Sequence, residues 1–139
     1  MGMNLFHLTD ESMRQELSKT MMPGEQFSCP VYVSFGKESL LGSALSNLYG
    51  YAAVTDSDCL VVIRYNMLGV EMSNRHYSLR DLESLTVKSG AITSIRLAFA
   101  SGTGMEQLHL RVSPKVYMSG LTAQKQNLEG LVDTLERWK

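Results

Sequence analysis

The sequence predicts an α+β domain: a bent antiparallel sheet of seven short strands, with a short amphipathic helix before it and a longer one after it. Three observations carry this reading. Between Glu25 and Val112 the apolar residues fall into seven short runs separated by Gly, Asn, Asp, Ser and Pro, the residues that build turns. On both sides of that region the apolar spacing changes to three and four, the period of a helix. Within it, the stretch from Tyr49 to Val87 holds consecutive strand-like runs joined by tight polar turns, which is the pattern of an antiparallel meander.

The first helix is expected within Leu5 to Met22. Thr9-Asp10 offers an N-cap, Glu11 puts a negative charge in the first turn, Met13, Leu17 and Met21 recur every four residues, and Pro23-Gly24 stops the run. From Glu25 to Phe35 the period becomes two, with Phe27, Cys29, Val31, Val33 and Phe35 alternating with polar neighbours, so this is a half-buried first strand. Pro30 lacks the N–H that a ladder needs, so the strand has either an edge position or a bulge there.

Residues 36–48 follow with Leu40, Leu41, Ala44, Leu45 and Leu48 at helical spacing. A connection this long and this apolar is unusual between adjacent strands, and such loops often carry function. Strands are then expected at Tyr49 to Thr55, Cys59 to Tyr65, Val70 to Tyr77, Ser84 to Lys88, Ile92 to Ala100 and Met105 to Val112. The last helix, Thr122 to Trp138, has Leu128, Leu131, Val132, Leu135 and Trp138 on one stripe, and it must bury that stripe against the sheet.

At 139 residues and 15.5 kDa the chain fits one core, and 44% hydrophobic with 19% charged residues is ordinary globular composition. A net charge of -1 with scattered Lys and Arg argues against nucleic acid as a partner. The longest apolar run, Cys59 to Ile63, is far too short for a membrane span. The N-terminus has neither a basic nor an apolar signal region, and Phe6 stands where myristoylation favours Ser or Thr, so a cytoplasmic location is expected. Cys29 and Cys59 lack metal spacing and read as buried thiols in a reducing compartment.

This order of elements, together with three short motifs, resembles the pleckstrin-homology superfold, and in particular bacterial PH-like and GRAM-like domains. Pro23-Gly24-Glu25 resembles the segment that opens the first strand in that family. Gly50 to Asp56 followed by Cys59-Leu60-Val61-Val62 resembles its hairpin, and Tyr77 to Val87 resembles its turn into the fifth strand. The resemblance spans Met22 to Trp138. It implies a PH-like bent seven-stranded antiparallel barrel with a C-terminal capping helix, with residues 1–22 as an N-terminal helical extension and 23–139 as the PH-like domain. Cys59 stands where the family commonly has a basic residue. The first hairpin offers Lys37 and then no basic residue until Arg64, so specific phosphoinositide recognition is not carried over.

No catalytic motif stands out. His7, His76 and His109 are far apart in sequence, no Ser sits in a G-x-S-x-G elbow, and Gly36-Lys37-Glu38-Ser39 lacks the first Gly of a phosphate loop. Asp56-Ser57-Asp58 has two carboxylates that a hard cation would accept, and reads as a solvated turn. His109 lies at a polar position of an alternating run and reads as an exposed strand residue. Arg64, Arg75 and Arg111 are candidates to share a sheet face.

The expected function is therefore a non-catalytic interaction module without cofactor or metal, binding protein or associating with itself. The alternatives are a peripheral membrane or lipid module using the same loop, and a small hydrolase without recognisable motif. The expected contact residues are Lys37, Leu40, Leu41, Leu45 and Leu48 of the long connection and Met67 and Leu68 of the next turn, which the resemblance places at the barrel's open end. That connection either presents its leucines as a docking patch or folds down as a plug over the core.

Overall fold

The computed structural model describes residues 8–36, 49–66, 68–116 and 119–139. Helix α1 (Asp10–Ser18) starts where Thr9 makes a capping box: Thr9 Oγ1 accepts the Ser12 N–H at 3.0 Å and Ser12 Oγ takes the Thr9 N–H at 3.2 Å. The helix stops earlier than its apolar spacing predicts. Thr20 directs both its N–H and its hydroxyl to the Leu17 carbonyl, at 3.0 and 2.7 Å, which tightens the last turn. Met13 and Leu17 are buried, and Met21 is half-buried beyond the helix end.

Seven strands follow: β1 (Phe27–Phe35), β2 (Tyr49–Thr55), β3 (Cys59–Tyr65), β4 (Glu71–Ser78), β5 (Leu82–Lys88), β6 (Thr93–Ser101) and β7 (Gly104–Val112). A single 3-10 turn, Leu79–Asp81, joins β4 to β5, and α2 (Gln124–Arg137) closes the order. All neighbouring strands are antiparallel, in the order β4-β3-β2-β1-β7-β6-β5. The fold is thus the expected α+β arrangement, with one qualification. The sheet is not closed into a hydrogen-bonded barrel, because β4 and β5 are its two edges.

The bend arises at β1. It pairs with β2 along most of its length but with β7 only at Ser34↔Arg111 and Phe35↔Leu110, so the two halves of the sheet diverge along the rest of β1. Pro30 sits in that free part. The register slips between Ser28 and Val31 and Cys29 has φ +55°, so Pro30 belongs to a bulge in a central strand and not to an edge strand. α2 fills the opening. Gly130 costs this helix roughly 1 kcal/mol of propensity, but a Cβ there would lie 2.6 Å from Cys29 Sγ and would have to push the thiol aside, so glycine eases the close approach to the bulge.

The β2–β3 pair is buried on both faces. Its inner face (Ala52, Val54, Leu60, Val62) joins Val31, Val33, Ile95, Leu97, Leu108 and Leu110 and the Leu128, Leu131 and Leu135 stripe of α2. Its outer face (Tyr51, Ala53, Val61, Ile63, Tyr65) is covered by Leu8, Met13, Leu17 and Leu121. Two buried faces explain why Cys59 to Ile63 reads as a continuous apolar run where a strand with one wet face alternates. A buried polar contact crosses the outer layer: Tyr65 Oη donates to Glu16 Oε1 at 3.1 Å, while Lys19 Nζ holds Glu16 Oε2 at 2.7 Å. Burial, reinforced by the Glu16 carboxylate, pushes the Tyr65 phenol well above its ordinary value.

The segment leading into β1 is fastened to β4 through Glu25. Its side chain is 3% exposed, and it accepts from Met22 N–H at 3.0 Å, from Ser57 Oγ, and from His76 Nε2 at 2.9 Å. Burial pushes its pKa up, but the donors from Ser57, Met22, His76 and Thr55 outweigh that and hold it at about 2.

Two predictions follow from these contacts. In Gly50→Ala the new Cβ would meet the Ile63 carbonyl oxygen at 1.8 Å, whereas at Gly102 nothing lies within 4 Å. Urea denaturation should therefore find Gly50→Ala destabilised by more than about 3 kcal/mol and Gly102→Ala changed by less than about 1 kcal/mol; equal effects would contradict the packing. A carboxyl lowered from 4.5 to about 2 by folding stabilises the fold above pH 4.5 and loses that contribution as pH falls towards 2. The wild-type urea midpoint should then drop more steeply between pH 4.5 and 2 than that of Glu25→Gln, and parallel curves would remove Glu25 from the account.

Candidate functional site

β1 ends at Phe35 and β2 begins at Tyr49, so the long connection leaves and returns at the end of the sheet where the β3–β4 turn lies. Of the contact residues expected from sequence, Lys37, Leu40, Leu41, Leu45, Leu48 and Met67 lie outside the described residues. Leu68 is described and is 87% exposed. The turn puts it there: Asn66 Oδ1 accepts the N–H groups of Leu68 and Val70 at 2.9 and 3.1 Å, and Gly69 takes φ +78°. Val70 and Met72 of the same hairpin are also exposed, so the turn and the start of β4 carry an apolar strip.

The concave side of this end holds a compact charged cluster. Tyr77 of β4 stacks on Phe99 of β6 at 4.9 Å, and its hydroxyl donates to Glu106 Oε2 of β7 at 3.1 Å. Arg75 pairs with the same Glu106 oxygen and lies 4.6 Å above the Tyr77 ring. Arg64 is buried, sits 4.2 Å above the Phe35 ring and bonds to the Tyr77 hydroxyl. Its neighbour across the ladder is Gly50, where a Cβ would lie 3.2 Å from the Phe35 ring that Arg64 covers. Burial pushes the Tyr77 phenol up, with Glu106 adding to the rise and the two arginines opposing it. The hydrogen bond to Glu106 raises Arg75 in turn.

These contacts link β4 to β6 and β7 through side chains, with no ladder between them. Arg64 and Arg75, two of the three arginines named as candidates to share a sheet face, therefore both reach Tyr77. Arg111 does not join them: it lies an odd number of residues from Glu106 along β7, hence on the opposite face, and is exposed. Tyr77, Glu106 and Phe99 had no signal as a cluster in the sequence, since the spacing along each strand says only which face a residue takes and nothing about which distant strand it meets.

His109 corrects another expectation. It is 7% exposed, not a solvated strand residue. A Cβ on Gly36 would lie 1.9 Å from His109 Nδ1, so the glycine after β1 leaves the slot that the imidazole fills, and Ser94 Oγ meets Nε2 at 2.7 Å. At the other end of the sheet, Glu25, Ser57, Cys59, His76 and Met22 line a cleft of about 610 Å³. Its carboxylate is already saturated by donors, so the cleft reads as the wall of the β1–β4 fastening. Asp56 and Ser57 are exposed, and Asp58 faces Arg80 at 3.5 Å. Among the described residues no group of three His, Cys, Asp or Glu side chains is placed to hold a metal.

No protein-family model matches the chain, and no curated protein matches it. Among solved structures, the hSac2 domain from human phosphoinositide phosphatase Sac2 is similar over 93% of this chain and 82% of its own length, with a TM-score of 0.61 and 12% identity. At that identity the likeness concerns the fold alone: a bent antiparallel sheet flanked by helices. No helix among the described residues is long and apolar enough to cross a membrane.

Proposed function

We propose that this chain is a non-catalytic PH-like interaction module whose working surface is the open end of the sheet, and that it docks protein there, including a second copy of itself. The observation that supports this most directly is the apolar strip of Leu68, Val70 and Met72, held outward at the Asn66–Gly69 turn. A large apolar side chain held in water at a rigid turn is costly unless a partner covers it. In the charged cluster Glu106 answers Arg75, and Arg64 is buried over the Phe35 ring, so little bare charge faces outward and a partner surface of mixed polarity suits it better than a strongly charged one. The segment 37–48 leaves from this same end and adds its leucines to the reading.

A second reading, a peripheral lipid module, draws on one observation: the similar hSac2 domain comes from a phosphoinositide phosphatase. The exposed tip residue Leu68 would then enter the headgroup region.

Light scattering and vesicle co-sedimentation together separate the two. The expected outcome is a mass that rises above 15.5 kDa with concentration, a return to monomer in Leu68→Asp, and no pelleting with phosphatidylcholine vesicles with or without phosphatidylserine. A strict monomer that pellets with vesicles, and stops doing so in Leu68→Asp, would replace protein docking by the lipid reading. A monomer that pellets with neither vesicle would sink both.

A further inference from the structure

A second surface lies where α2 passes the edge strand β5. Two hollows of about 280 and 460 Å³ share Ser89 and Val132 and so form one continuous groove. Its floor is apolar, with Leu85 and Leu128 buried and Val87 and Val132 half-buried. Its helix wall carries Glu129, Asp133 and Glu136, spaced four and three apart and therefore on one face of α2, and all three are exposed. Lys125 and Lys139 also line it. Among the described residues none of the three carboxylates enters an ion pair.

The opposite wall is backbone. Among the described residues β5 pairs with β6 alone, in regular register from Ser84 to Lys88. Lys139 Nζ donates to the Leu85 carbonyl at 3.3 Å, so that carbonyl points out of the sheet. In a strand the N–H and C=O of one residue point the same way and alternate residues point opposite ways, so Leu85 and Val87 together turn two donors and two acceptors outward. The Lys139 ammonium stands on one of those acceptors, where the N–H of an added strand would bond.

We propose that this groove accepts an extended basic peptide as an eighth strand on β5, one whose alternate side chains are Lys or Arg. Ladder bonds from Leu85 and Val87 hold its backbone, a peptide N–H displacing the Lys139 ammonium from the Leu85 carbonyl. Every second side chain then faces α2, its aliphatic stem lying on Val87 and Val132 and its cationic tip meeting Glu129, Asp133 or Glu136. An acidic peptide in the same place would meet three carboxylates against the two lysines, Lys125 and Lys139. The site is distinct from the open-end surface and stands or falls without it.

The test is an amide-resolved NMR titration of the full chain with acetyl-Thr-Lys-Val-Lys-Thr-Lys-Val-amide. Three probes or variants accompany it: the same peptide N-methylated along one edge, its counterpart with Glu for Lys, and the double variant Asp133→Lys with Glu136→Lys. Expected are saturable shifts confined to residues 82–90 and 125–139, and binding about tenfold or more weaker for the N-methylated peptide, for the acidic peptide and for the double variant. The urea midpoint of the double variant should be unchanged, since both residues are exposed. Absence of saturable shifts, equal binding of the N-methylated peptide, equal binding of the acidic one, or shifts centred on residues 64–77 would each overturn the proposal.

Discussion

The backbone of Tyr32 points an N–H and a carbonyl at a place in the sheet where no strand arrives, and the side chain of Gln124 meets both. Gln124 accepts from the N–H at 3.0 Å, donates to the carbonyl at 2.8 Å, and also donates to the Ser113 carbonyl at 3.2 Å. It is 1% exposed. One amide side chain therefore replaces one residue of ladder, at the point where β7 has parted from β1. An unpaired backbone pair buried there would cost about 1–3 kcal/mol for each group. Because Gln124 begins α2, the same contact fixes where the helix enters the opening.

The remaining architecture follows from that parting of strands. A bulge at Cys29 and Pro30 turns β1, Gly130 lets α2 lie against the bulge, and Leu128, Leu131 and Leu135 fill the space between the diverging halves. An isolated helix of this length is marginal in water, whereas burying three leucines contributes about 2 kcal/mol each, so packing and not propensity makes α2 stable. The far side of the opening is spanned by side chains: Tyr77 on Phe99, with Arg75 and Tyr77 on Glu106. Leaving the ladder open has a consequence for recognition, since it preserves two free strand edges.

α1 changes the character of the sheet. By covering Tyr51, Ala53, Val61, Ile63 and Tyr65 it makes β2 and β3 an interior layer, and it is tied down by Asp10, which accepts from both the N–H and the hydroxyl of Thr122 at 3.0 and 2.6 Å. Exposed apolar side chains and open hollows are left at the rims: Leu68, Val70 and Met72 about the Asn66–Gly69 turn, and the β5–α2 groove.

The sequence by itself determined the seven strands and the helices before and after them, in order, because those depend on local spacing. A period of two, a period near four and turn residues between them are readable without knowing what touches what. It also located the long apolar connection and the exposed tip of the β3–β4 turn, whose residues Asn66 and Gly69 specify it locally. The choices that needed distant partners were settled by tertiary structure. Pro30 permitted an edge or a bulge until the strand order placed β1 in the middle. His109 has the polarity of a surface residue and is buried where Gly36, just after β1, leaves it room. The meeting of Arg64, Arg75, Tyr77 and Glu106, and the open sheet that requires it, arise from how two halves cross, which periodicity along one strand does not encode.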